Sequence, residues 1–256
     1  MNGTDKSNHT FLLCELIKRD FKKKYKSTYL GMLWSLASPL LTLLVMSLLF
    51  SHFFGNTTPH YTIYLFCGNI CFTYFNDMST SGMGALLSNA DIFSKIKLPK
   101  VLFVISRSVT SVINFALTLA VFLIFCLFDG IAVGLHFLSL LYPIVMLTLF
   151  GVGVTLILSV LFVFFRDMQY LWSVISLLLM YMSVIFYTLD SFPEHLRELF
   201  LINPIYVYIT YFREVVIGGS VPSLTLHLLG LVYAVLFLVL GVSLYKRYDY
   251  KFIYYV

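Results

Sequence analysis

Six stretches of this chain, 31–54, 61–84, 104–128, 136–165, 170–189 and 224–245, are apolar over nearly their whole length. A bilayer-spanning helix needs roughly 20 such residues, because the hydrocarbon core is about 30 Å thick and a helix rises about 1.5 Å per residue. In hydrocarbon every backbone N–H and C=O must find a partner within the protein, so only helices and closed barrels cross. No stretch alternates apolar and polar residues with a period of two, which argues against a barrel. The expected fold is therefore an all-α membrane protein with six transmembrane helices, in one domain covering 1–256. Composition agrees: 60% of residues are hydrophobic and 11% charged, against about 25% charged in a soluble domain. The second stretch is the most polar, interrupted by Asn69, Asn76 and Asp77.

Charge placement orients the expected spans. With six crossings the termini share a side, and that side takes fifteen of the 17 Lys and Arg residues; Arg197 and Arg213 fall on the other. Short cytoplasmic loops collect Lys and Arg, so both termini are expected in the cytoplasm. The densest run is 18–26, where Lys18, Arg19, Lys22, Lys23, Lys24 and Lys26 precede the first apolar stretch. Leu13, Ile17, Phe21, Tyr25 and Tyr29 recur every fourth residue among these cations. That stripe predicts an amphipathic helix over 10–29, lying along the membrane with its cations against anionic lipid. No short apolar core with a small-residue cleavage site stands in the polar opening MNGTDKSNHT, so no cleavable signal peptide is expected.

Three connections carry more than a turn. In 86–100, Asp91, Ile92, Phe93, Lys95, Lys97 and Pro99 mix charge with apolar bulk, and Asn89 or Asp91 is placed to cap a short helix. Such a helix presents an apolar knob to a soluble partner. Arg166 and Asp167 mark a tight cytoplasmic turn between the fourth and fifth stretches. On the outer side, 190–222 holds two apolar runs too short to span, separated by Asn203-Pro204. They predict a re-entrant helical hairpin.

The chain lacks the usual signatures of chemistry. It has no G-x-x-x-x-G-K-[ST], no H-E-x-x-H, no G-x-S-x-G and no His/Cys cluster, so no catalytic residue and no metal site is expected. Cys67 and Cys71, one helical turn apart, read as small hydrophobes. Asp77 is the one acid clearly inside an apolar stretch, where it either serves the transport pathway or bonds a neighbouring helix. The spans also offer aromatic surface: Tyr61, Tyr64, Phe72 and Phe75 share one face of the second, and Tyr181, Phe186 and Tyr187 end the fifth. These are candidates for a pathway wall, since aromatic faces suit sugar rings.

The order of these features resembles the type-2 ABC exporter permeases that move polysaccharides, including those for O-antigen, capsule and teichoic acid. Carrying the resemblance are the pattern Tyr25, Leu30, Gly31, Trp34 and Pro39 after the basic run, Asn89 with Lys97-Leu98-Pro99, Arg166-Asp167, and Asn203-Pro204 followed by Arg213. The family commonly has an aromatic residue before that Pro, where this chain has Leu98. The resemblance implies a homodimer with a pore between two copies in a bacterial inner membrane. It implies two separate ATP-binding cassette subunits that hold the ATP and magnesium, so this chain carries no cofactor and is not an enzyme. Asp91, Ile92, Phe93, Lys95, Lys97, Pro99, Arg166 and Asp167 would couple to those subunits. The pyrophosphate of a lipid-linked glycan would meet the cationic belt at 18–26. Anionic partners would be that substrate and membrane lipids, not nucleic acid. An antibiotic-exporting permease of the same class, or a membrane-embedded glycan-modifying enzyme, are the alternatives.

Overall fold

The computed structural model describes residues 3–25, 33–54, 59–93, 95, 98–189 and 192–255, and these are predominantly helical with no strand among them. A surface helix α1 (Gly3–Tyr25) comes first, then α2 (Leu33–Phe54) and α3 (Tyr61–Met83). A short α4 (Ala90–Phe93) precedes α5 (Val101–Phe128), α6 (Leu141–Phe164) and α7 (Met168–Met182). The segment after α7 forms α8 (Glu194–Leu199) and α9 (Pro204–Val216), followed by α10 (Leu224–Tyr248) and α11 (Phe252–Tyr255).

Among the described residues three segments are able, by length and composition, to cross a bilayer: Val101–Phe128, Leu135–Phe164 and Leu224–Lys251. The pair Leu196–Ile202 and Pro204–Val216 qualifies only jointly and is bent by 106°, which would make a fourth. The remaining apolar stretches fall short for identifiable reasons. α2 is apolar over Ala37–Phe50 only, and α3 has the length but carries Asn69, Thr73, Asn76, Asp77 and Thr80. α7 stops at Met182, seven residues before the end of the stretch expected at 170–189. At about 1.5 Å per residue its 15 residues reach only about 22 Å.

The segment beyond that stop is held from elsewhere in the chain. Arg213, on α9, is 8% exposed. Its guanidinium donates to the carbonyls of Val184 at 2.8 Å, Ile185 at 3.1 Å and Tyr64 at 3.1 Å. The hydroxyls of Tyr61 and Tyr64 donate to the carbonyls of Phe186 and Tyr187, at 2.7 and 2.8 Å. Val184 takes a positive φ of 55°, outside the right-handed helix, and these donors satisfy carbonyls at 184–187 that the ended helix leaves without an intrahelical partner. A buried cation is costly unless its donors are satisfied; here main-chain oxygens satisfy it, and its plane sits 3.4 Å over the Tyr64 ring. Gly68 leaves the space, since a Cβ there would stand 2.9 Å from Arg213 Nη2.

Close backbone approach sets the central crossing. A Cβ on Gly153 of α6 would lie 2.4 Å from the Phe237 carbonyl carbon of α10, and one on Gly241 would lie 2.4 Å from the Gly153 oxygen. In lipid no hydrophobic drive separates helix from solvent, so such small-residue contacts hold helices together by packing. Around this pair α3, α5 and α9 build the main core. A second, smaller core joins Leu16 of α1, Leu86, Phe93, Phe103 and Val104, Val160 of α6, Tyr245 of α10 and Phe252. α9 begins where Asn203 Oδ1 accepts from the Ile205 N–H at 3.0 Å, with Pro204 in the first turn.

Candidate functional site

α3 carries two different faces. At 100° per residue, Tyr61, Tyr64, Phe72 and Phe75 fall roughly a third of a turn from Thr73, Asn76, Asp77 and Thr80. The aromatic face is turned inward. Phe75 is 1% exposed, stacked on Phe150 at 5.4 Å and edge-on to Trp172 at 6.1 Å. Tyr61 is buried and Tyr64 half-buried, both bonded to 186–187 as described. Thr73 and Thr80 are exposed, and Asn76 and Asp77 half-exposed. The open surface of this helix is its polar stripe.

Beside that stripe runs a groove of about 330 Å³ between α3 and α7, lined by Phe72, Asn76, Thr80, Gln169, Trp172 and Ser176. Ser176 Oγ donates to Asn76 Oδ1 at 2.6 Å and pins the two helices. Ser173 adds a hydroxyl and Leu177 and Met180 add apolar wall. The Trp172 indole N–H has no hydrogen-bond partner among the described residues. Asp77 stands on the other flank, accepting from Ser111 Oγ of α5 at 2.7 Å, so it ties α3 to α5. The lining offers hydroxyls, amides and two aromatic rings but no cation. Polar side chains exposed within an apolar bundle belong against water or protein, not lipid, and this set offers hydrogen-bond donors and acceptors without a formal charge.

The other aromatic candidates divide. Phe186 is buried against Phe50 at 5.2 Å, and Tyr187 donates to the Tyr181 carbonyl at 2.9 Å. Tyr181 is open. Of the seven aromatic candidates, then, Phe72 lines the groove, Tyr181 is exposed, and Tyr61 and Phe75 pack inside the chain.

The cationic belt is partly engaged. Lys18 pairs with Glu15 at 2.8 Å on the exposed side, and that bond holds its ammonium above the usual range. Arg19 donates to Asp20 at 2.7 Å, while Lys22 is exposed. The side chains of Lys23 and Lys24, and all of Lys26 and Lys97, lie outside the described residues. Asp20 escaped the sequence reading because it sits among cations. It is 1% exposed, accepts from Ser106 Oγ at 3.0 Å and faces Arg107 Nε at 3.4 Å, so it latches α1 onto α5. An acid facing inward from a basic surface helix was the available signal.

The connections at 86–100 and 164–172 also differ from expectation. Phe93 is not an exposed knob but is buried, 6.1 Å from Phe103. Ile92 is half-buried, while Asp91, Lys95 and Pro99 are exposed. Asn89 caps nothing; its amide donates to the Ala85 carbonyl at 2.7 Å. Arg166 and Asp167 are exposed, and Arg166 donates to the Tyr255 carbonyl at 3.4 Å.

Comparison with known proteins matches this architecture to one family. The chain is 27% identical over 245 residues to the O-antigen export system permease protein RfbA of Klebsiella pneumoniae, covering 94% of this chain and 93% of that one. It is 25% identical over 235 residues to the polysialic acid transport protein KpsM of Escherichia coli, covering 90% and 91%. It is 22% identical over 237 residues to the capsule polysaccharide export inner-membrane protein CtrC of Neisseria meningitidis, covering 91% and 89%. These are membrane components that work with separate ATP-binding subunits, which is why a chain without a phosphate-binding loop suffices. Residues 12–217 match the ABC-2 type transporter family, and the chain belongs to it.

Proposed function

We propose that this chain is the membrane subunit of an ATP-driven exporter that moves a lipid-linked polysaccharide, of O-antigen, capsule or teichoic-acid type, from the cytoplasm across the bacterial inner membrane. The observation that carries the reading is the end-to-end similarity to polysaccharide export permeases; the uncharged groove beside the polar stripe of α3 supports it.

In this reading α2, α3, α5, α6, α7 and α10 cross the membrane, and both termini are cytoplasmic as fifteen of 17 cations favour. The α8–α9 pair enters from the outer side without crossing. Two copies form the pore, with the α3 stripe and the α3–α7 groove facing it, which gives Thr73, Thr80 and Gln169 the water that lipid would deny them. A sugar chain slides past Phe72, Trp172 and Tyr181 by ring stacking and past the amides and hydroxyls by exchangeable hydrogen bonds. The exposed cations of α1 receive the pyrophosphate head before entry. ATP and magnesium reside on the partner subunits, which dock on Asp91, Lys95, Pro99, Arg166 and Asp167.

The test is glycan display in cells lacking this gene, with intracellular lipid-linked polymer quantified alongside. Loss of surface glycan with polymer accumulating inside, rescued by the intact gene and poorly by Asn76→Leu/Thr80→Leu, is the expected result. Loss without accumulation assigns the chain to synthesis, and normal display leaves an antibiotic exporter.

A further inference from the structure

The last residues, 249–255, touch both cytoplasmic connections at once. At one end Lys100, which closes the 86–100 connection, donates to the Asp249 carbonyl at 2.6 Å and stands 3.6 Å from its carboxylate. At the other end Arg166, in the α6–α7 turn, donates to the Tyr255 carbonyl at 3.4 Å, and the Tyr255 ring lies edge-on to Phe164 at 4.8 Å. Between these anchors Phe252 is 0% exposed. It packs on Tyr245 at 5.3 Å and Phe164 at 6.2 Å, and the Lys100 ammonium sits 5.7 Å from its ring centroid. It belongs to the same core as Leu16 of α1 and Phe93 of α4.

We infer that 249–255 is a strap that fixes the two cytoplasmic connections relative to each other, with Phe252 as its positioning residue, so that a displacement delivered to either connection moves α5, α6 and α10 together. The inference rests on the proposed function, in which those connections receive the ATP-driven strokes. Its physical basis is that a short segment bonded at both ends and pinned by a buried aromatic ring transmits displacement. Without the pin, the same segment hinges about its end contacts. Phe252 touches neither the substrate groove nor the exposed faces offered to the ATP-binding subunits.

The experiment uses the complete transporter, this chain with its ATP-binding subunit, reconstituted with lipid-linked glycan and read for ATP hydrolysis and polymer moved. Phe252→Ala is expected to lower the polymer moved per ATP hydrolysed by about 5-fold or more, the lower range of a site-to-site coupling. Phe252→Leu, which keeps most of the bulk, is expected to restore the ratio. An unchanged ratio in Phe252→Ala overturns the inference. If the wild-type transporter moves no glycan, the functional reading itself fails, and the two failures are distinguishable. Should Phe252→Ala not fold, a bridge decides. Phe165 and Tyr255 line one cavity of about 510 Å³, so Phe165→Cys/Tyr255→Cys, with exposed Cys14 changed to Ser, is linked by a short bis-maleimide. A strap that travels with the α6–α7 turn leaves transport intact after bridging; loss of transport on bridging alone refutes it.

Discussion

Replacing Asp20 with Asn tests whether α1 is docked by a charge or merely laid on the bundle. The amide keeps the shape and one acceptor, so the Ser106 bond at 3.0 Å survives while the attraction to Arg19 and Arg107 is lost. A hydrogen bond to a charged group contributes roughly 1.5–3 kcal/mol. Water screens both cations here, since the Arg19 side chain is 37% exposed and that of Arg107 22%. The Arg107 contact at 3.4 Å is an ion pair without a well-aligned hydrogen bond. Arg19 is the adjacent residue on α1 and stays beside Asp20 when the helix lifts, so only Arg107 of α5 counts toward docking. Discounted for exposure, that contact contributes about 1 kcal/mol, which corresponds to roughly a 5-fold rise in the population with α1 detached. Amide hydrogen exchange in lipid nanodiscs reads this directly, because local opening exchanges α1 without unfolding the bundle. Protection over 12–22 is expected to fall about 5-fold, with α6 unchanged. Unaltered protection in α1, or an equal loss in α6, would refute the latch.

Three further outcomes follow from the packing. Gly153→Val forces a Cβ to within 2.4 Å of the α10 backbone and is expected to cost at least about 1–3 kcal/mol in thermal unfolding, whereas Gly84→Ala, with nothing within 4 Å, leaves the melting temperature unchanged. Arg213→Met strands the carbonyls of Tyr64, Val184 and Ile185 and is expected to destabilise by about 3 kcal/mol or more; Arg213→Lys rescues little, because a single ammonium cannot reproduce the planar fork, and the yield of folded protein checks both. Phe75→Ala is expected to cost about 3–5 kcal/mol as a core truncation, while Tyr181→Ala stays within about 0.5 kcal/mol in stability and acts only on glycan export.

Local pattern carried a great deal of this molecule. Composition and run length are properties of a segment taken alone, so the all-helical membrane class, the surface helix at the start and the helix break at Asn203-Pro204 were legible from residue order. The resemblance to polysaccharide exporters was legible for the same reason, since its motifs are short and contiguous. The direction of each face was not. A helix with aromatic residues on one side and Asn, Asp and Thr on another is ambiguous until its neighbours are known; on the aromatic side of α3, Tyr61 and Phe75 are packed inward while Phe72 lines the groove.

Long-range partners decided the remainder. Whether a charge is free depends on what another part of the chain brings to it, which is why Arg213 turned out to be committed and Asp20 to be a latch. The segment beyond α7 is also held from outside, by an arginine on α9 and two tyrosines on α3 that bond the carbonyls at 184–187. The sequence by itself determined which residues prefer hydrocarbon, water or the boundary, because transfer free energy belongs to each side chain. Only the tertiary structure decided which polar groups are already paired and which remain open to a cargo, because a hydrogen bond needs two partners and those partners lie as many as 149 residues apart.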